Sequence, residues 1–417
     1  MIMLGACGLL KKKQPFTSDV SPMIVYLHIG TYKTATTFLQ HGLYHNFKDP
    51  SGALYYPRTG IYGTAHHYLA TSRFPGWTNG VTAAAYEKAW NRLLKNLNRS
   101  DADIAVLSSE MFCSLSEADI QYVRSALQDY SVRAIVYIRR QDQYISSLAA
   151  QMVKGCNGKP ENYMNLDTAI QTVTNSKQFN YGSMCTNWAR VLGEKNLIVR
   201  PFERAQLHQE NILADFFHHV TGMQVPDSVV FPAGNLNPRL CRDALEFKQL
   251  VNRLPVDRDT MNATLPGLFS YSEAVDAQTC NTYQEHVLLS PSRRQEIMQS
   301  CAEINAHIAR TFLGRDNGIL FEEPLTEPET RWKPYPGLDS ATLEKIISFL
   351  DQTTPGVAEL LTRAALNMDL PDQEMQKFTD TLKRRSNANP AWKRNMPGFV
   401  AKWLSKLIRF QHRRQNG

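Results

Sequence analysis

Along this chain, short unbroken apolar runs alternate with segments whose apolar residues recur every three or four positions. Met23 to Ile29 reads as a buried strand and Thr36 to Phe47 as a helix, separated by the loop Gly30 to Ala35. The unit recurs. Ile104 to Ser108 is a second strand, followed by a helix that Ser116 and Asp119 are spaced to open as a capping box. Arg133 to Ile138 is a third strand, leading into a helix from Gln143 to Lys154. Asn196 to Val199 is a fourth, and the helix after it runs toward Gly222 as its stop. Strands alternating with helices predict an α/β fold, a three-layer, mainly parallel sheet flanked by helices. Ligands of such sheets bind beyond the carboxyl ends of the strands, so candidate chemistry is sought there.

From Leu240 onward the apolar spacing is helical, and Pro324 to Pro336 reads as a linker into a helical C-terminal extension, residues 324–395. Residues 1–21 carry no pattern and are expected to be flexible. No run approaches the roughly 20 apolar residues of a membrane span. The start, Met1 to Cys7, lacks the basic and apolar segments of an export signal. The seven cysteines are odd in number and never spaced as CxxC, so neither a disulfide framework nor a metal site is expected. A cytoplasmic chain with free thiols is the simplest reading.

The net charge of +7 changes that picture only locally. Residues 383–417 hold ten Lys/Arg and no acid, which leaves the rest with 36 cationic and 39 acidic side chains. Overall basicity is therefore no argument for nucleic-acid binding. Within 396–417, Phe399, Val400, Trp403, Leu404 and Leu407 share one helical face and Lys402, Lys406 and Arg409 lie toward the other. Such a basic amphipathic tail packs on its own domain or makes peripheral contact with an anionic membrane.

The first strand ends in His28-Ile29-Gly30-Thr31-Tyr32-Lys33-Thr34-Ala35-Thr36-Thr37, a lysine among threonines at the opening of a helix. Helix-start amides, hydroxyls and a full positive charge make an anion cradle. The GxxxxGK[ST] spacing of nucleotide kinases is not met, since Lys33 follows Gly30 by three residues. The segment instead resembles the 5′-phosphosulfate loop, K-[TS]-G-T-T followed by x-L-Q, of sulfotransferases that use 3′-phosphoadenosine 5′-phosphosulfate (PAPS). Lys33, Thr34, Thr36, Thr37, Leu39 and Gln40 match it, and Ala35 departs from the usual glycine. The third strand ends in Arg139-Arg140-Gln141, with Ser147 eight residues after Arg139, which resembles that family's 3′-phosphate motif. Gln141 stands where proline is common. Trp188, Leu192, Gly193 and Asn196 to Glu203 resemble its late strand near the adenine.

The resemblance covers roughly Met23 to Gly222 and implies a P-loop-like sulfotransferase domain over residues 22–323. It implies PAPS as co-substrate, no metal, and a cofactor site of Gly30, Thr31, Lys33, Thr34, Ala35, Thr36, Thr37, Arg139, Ser147 and Phe202. Sulfuryl transfer leaves charge on a bridging oxygen, which Lys33 is suited to meet. The acceptor must lose a proton; the second strand ends in Glu110, the leading base, with the adjacent pair His66 and His67 as rivals. The acceptor is a hydroxyl or amine, by family analogy a carbohydrate or glycolipid. Two other readings stand beside it: a P-loop nucleotide kinase or NTPase, and a non-catalytic protein that binds polyanions or membranes.

Overall fold

The computed structural model describes residues 23–70, 82–156, 165–176, 179–230, 238–279, 287–325, 332–366 and 372–388. The amphipathic tail, Cys7, Cys280 and the flexible N-terminus expected from sequence lie outside them. Five strands, β1 (Ile24–Gly30), β2 (Leu54–Tyr55), β3 (Ile104–Ser109), β4 (Ser131–Ile138) and β5 (Leu197–Pro201), form one sheet in the order β2-β3-β1-β4-β5, every pair parallel. A parallel sheet buried on both faces needs apolar runs without alternation. Val25 to Ile29 and Ala134 to Ile138 supply them, all but fully buried.

The helices between strands are α1 (Thr36–Asn46), α2 (Ala83–Leu97), α3 (Glu117–Ala126), α4 (Gln141–Lys154), α5 (Leu166–Thr174) and α6 (Tyr181–Leu192); α7 (Ile212–Thr221) follows β5. The capping box expected at α3 is present, with Ser116 and Asp119 each bonding the other's backbone. Gly222 closes α7 at φ 70, a left-handed value that glycine adopts without a Cβ clash. One apolar cluster (Leu27, Leu107, Phe112, Trp188) fills one side of the sheet, and another (Tyr26, Leu43, Tyr137, Phe216) fills the opposite side beneath α1 and α7. The expected α/β architecture is thus observed, with helical boundaries shifted by a residue or two.

The C-terminal half is helical: α8 (Arg242–Asn252), α9 (Arg258–Ala263), α10 (Leu265–Thr279), α11 (Pro291–Ser300), α12 (Ala302–Leu313), α13 (Ser340–Thr353), α14 (Val357–Leu366) and α15 (Gln373–Ala388). Its core does not stop at the proline-rich stretch. A single cluster joins Ala149 and Val153 of α4 and Leu166 of α5 to Phe247 and Leu250 of α8, Leu350 of α13 and Phe378 of α15. Tyr271 of α10 and Tyr335 within that stretch both donate to the Asp243 carboxylate (2.8 and 2.7 Å), fixing both to α8. The helical half therefore grips α4, the helix that leaves β4.

Candidate active site

β1 is the central strand, and the chain leaves it first toward β3 and later toward β4. Its carboxyl end is therefore the switch point where a parallel sheet opens a crevice. The loop Thr31 to Ala35 sits there. Its shape is set by its own hydroxyls: Thr31 donates to the Tyr137 carbonyl (2.6 Å) and Thr34 to the Thr31 carbonyl (2.7 Å), both buried. Lys33 and Ala35 take left-handed backbone angles, φ 66 and φ 56. That explains the family's glycine at the position Ala35 holds, since only glycine adopts this conformation without steric cost. Gly30 is required for another reason. A Cβ there would lie 2.8 Å from the Thr36 methyl and 3.0 Å from Cγ of Glu110.

Ala35 is the N-cap of α1 and offers no side-chain cap, so the first amides of that helix are not closed by a hydroxyl or carboxylate from the cap residue. Thr36 is buried and Thr37 exposed in the first turn. Beside them lies Lys33, whose Nζ donates to Oε1 of Gln151 on α4 at 3.4 Å. Burial first, and then the charges of Lys154, Arg139 and Arg239, press the Lys33 pKa down to about 8. Arg139 donates to the Lys33 carbonyl (3.2 Å) and to Gln143 (3.2 Å), and burial and Arg239 bear on it in the same direction. Ser147, Gln151 and Lys154 fall four and three residues apart, on one face of α4. Lys154 in turn reaches the Pro238 carbonyl next to Arg239.

Arg139 and Arg140, adjacent in sequence, diverge. Arg140 is buried and paired through Nε and Nη2 with Asp142 (2.8 and 3.2 Å), and its Nη1 donates to the carbonyls of Glu323 and Pro324. Gln141, in the place where proline is common, exchanges two amide hydrogen bonds with Asn305 of α12. Phe202, at the end of β5, donates its amide to the Ile138 carbonyl (2.7 Å) and packs against the same cluster as Ala35. Gln151, Lys154 and Arg239 were not reached from sequence. They come to Lys33 only through the fold, from 118 to 206 positions away.

Across β1 stands a second group. Glu110, buried at the end of β3, accepts from Nε2 of Gln40 (2.9 Å), which also bonds Ser108 (3.2 Å). His67 lies with Nε2 3.7 Å from the Glu110 carboxylate and Nδ1 2.9 Å from Ser109 Oγ. Burial lowers the His67 pKa while Glu110 opposes that. His66 faces elsewhere. Its Nδ1 accepts from the Ser108 amide (3.1 Å), so Nε2 carries the hydrogen and donates to the Pro57 carbonyl (2.8 Å). Burial takes its pKa down to about 3. His66 is a neutral clamp between two stretches of backbone.

No protein-family model matches the chain. A protein of Archaeoglobus fulgidus described as uncharacterized is 25% identical over 285 residues, 67% of this chain; the chain spans 66% of that relative's length. The crystal structure of a sulfotransferase from Alicyclobacillus acidocaldarius is similar over 58% of this chain and 94% of its own, at 13% identity and a TM-score of 0.34. That likeness is too remote to carry an argument, and the functional reading rests on the site itself. Among the described residues no group of three or more His, Cys, Asp or Glu is arranged to hold a metal, and no helix is long and apolar enough to cross a membrane. The described cysteines, Cys113, Cys156, Cys185, Cys241 and Cys301, are buried.

Proposed function

We propose that this chain transfers a sulfuryl group from PAPS to a hydroxyl or amine acceptor, releasing adenosine 3′,5′-bisphosphate. The observation that carries the reading is the convergence of Lys33, Arg139, Lys154 and Arg239 beside the uncapped start of α1. A ligand with two separated phosphates is drawn to such a gathering of cations. Lys33, Thr36, Thr37 and the first amides of α1 are the residues that would hold the 5′-phosphosulfate. Arg139 and Ser147, with Lys154 and Arg239 beyond them, would hold the 3′-phosphate, and Phe202 would border the adenine.

In the transfer, the acceptor oxygen or nitrogen bonds to sulfur as the bond from sulfur to the bridging oxygen breaks. The electron pair stays with the 5′-phosphate, whose growing charge Lys33 meets. The acceptor's proton goes to Glu110, held in place by Gln40, with neutral His67 beside it as the second carrier. His66 is set aside because both of its ring nitrogens are engaged by backbone.

The test is ligand dependence. Adenosine 3′,5′-bisphosphate in the presence of a chelator should raise the melting temperature, and labelled PAPS should pass its sulfur to at least one acceptor in a panel of sugars, lipids, phenols and amines. Stabilisation by Mg·ATP alone would assign the chain to a kinase, and response to neither ligand would end the enzymatic reading.

A further inference from the structure

Resting on that reading, we propose that Tyr62 is the platform on which the acceptor lies, and that the acceptor is a pyranose sugar. Most large apolar side chains near the site are buried, but Tyr62 is 55% exposed. It stands at the start of a tight turn closed by two backbone bonds with Ala65, 2.8 and 3.2 Å. Gly63 takes φ 62 in that turn, and the Tyr56 hydroxyl holds the Thr64 carbonyl at 2.8 Å. The clamp made by His66 ties the same segment to β3. An exposed aromatic ring is thus held by a rigid frame.

Its surroundings set what can bind. The Tyr62 ring centroid is 6.4 Å from that of His67, whose Nε2 is 3.7 Å from Glu110, so the ring borders the candidate base. Tyr68 packs against it at 89° and 5.9 Å, which fixes its tilt. Beside it, a Cβ built on Gly63 would meet no atom within 4 Å beyond its own chain neighbours. The result is an open shelf with an aromatic surface and polar neighbours. A phenol, apolar on both faces, gains most from a slot that encloses it. A pyranose has one face of C–H groups and a rim of hydroxyls, so it gains from a single aromatic surface and keeps its rim toward solvent, His67 and Glu110. A ring hydroxyl is then carried to the base.

The experiment is ligand-observed saturation-transfer NMR with methyl β-D-glucopyranoside, methyl β-D-galactopyranoside and phenol, with and without adenosine 3′,5′-bisphosphate. It compares the parent with Tyr62→Ala and Tyr62→Trp. At least one glycoside is expected to bind, roughly three- to tenfold more weakly to Tyr62→Ala and at least as tightly to Tyr62→Trp. Glycoside titrations that superimpose for parent and Tyr62→Ala, or no glycoside binding to any form, would overturn the shelf. So would phenol binding that depends on Tyr62 more than glycoside binding does. Tyr62-dependent glycoside binding in a protein that ignores the bisphosphate would keep the shelf and remove the sulfuryl-transfer reading. Nucleotide binding with Tyr62-independent glycosides would remove the shelf alone.

Discussion

On the β4 side of the first loop, burial first, and then neighbouring cations, press on Lys33 and Arg139: Lys154, Arg139 and Arg239 on the lysine, and Arg239 on Arg139, which Asp142 and Glu323 partly oppose. On the β3 side, Glu110, Gln40, Ser108, Ser109 and His67 already answer one another through hydrogen bonds of 2.9 to 3.2 Å. The first wall is rich in cations, and the second is wired by hydrogen bonds. A wall of like charges gains most from a ligand that neutralises it, whereas a wired carboxylate is positioned before any ligand arrives. On the proposed reading, binding falls on one side of β1 and proton transfer on the other.

The hardest blow to the contrast is Lys33→Ala. Removing the charge that meets the leaving phosphate should cut turnover about 10³-fold while the melting temperature stays near the parent's. Steady-state transfer from labelled PAPS measures it, and a residual rate above a tenth of the parent's would strip Lys33 of the role. Next is Glu110→Gln, expected to lower turnover about 10²-fold and leave affinity for adenosine 3′,5′-bisphosphate intact. If His67→Ala is damaging and Glu110→Gln is not, the proton goes to the histidine first.

A smaller effect separates the walls by pH. The Lys33 pKa is lowered to about 8, so the free site loses its charge as pH rises through that value. A bound polyanion favours the charged form and raises the pKa again. Binding of adenosine 3′,5′-bisphosphate near pH 8 should therefore take up about half a proton, and affinity should fall as pH rises from 7 to 9. Calorimetry in buffers of different ionisation enthalpy reads the uptake; proton release at pH 8 would contradict it. The smallest effect is Ala35→Gly. Relief of the left-handed alanine should outweigh the entropy that glycine adds to the unfolded chain, raising stability by up to about 1 kcal/mol in chemical denaturation. A clear loss would mean that the Ala35 methyl matters for its packing against the cluster beneath α1.

The parallel sheet and its first loop were legible because their signals are local. A buried run such as Val25 to Ile29 can only be a strand between neighbours, and Gly30 with Lys33 to Thr37 follows it directly. The two-residue strand Leu54–Tyr55 carries no period, and the amphipathic α2 was passed over beside stronger motifs. His66 and His67 look equivalent in sequence. One bonds the backbone of β3 and the other its side chains, a difference made by the turn of the chain between them. Gln151, Lys154 and Arg239 were hidden because nothing local distinguishes a helix-surface amide or cation from one that faces a loop a hundred residues away. The core shared across the proline-rich stretch was hidden likewise, since apolar period reports which face is buried and not what buries it.

The helix α4 has two jobs on two faces. One face carries Ser147, Gln151 and Lys154 toward the loop, and the other lodges Ala149 and Val153 in the C-terminal helices. At about 1.5 Å per residue, Ser147 and Lys154 stand roughly 10 Å apart along the axis. The helix is in effect a ruler, whose graduations face the first loop and whose back is bolted to a distant frame. Helices such as α13 and α15, which share that apolar cluster, thereby bear on where the marks fall. If the chain binds the proposed bisphosphate, one shorn of them would lose its measure of the spacing between the two phosphates even with every cation still present.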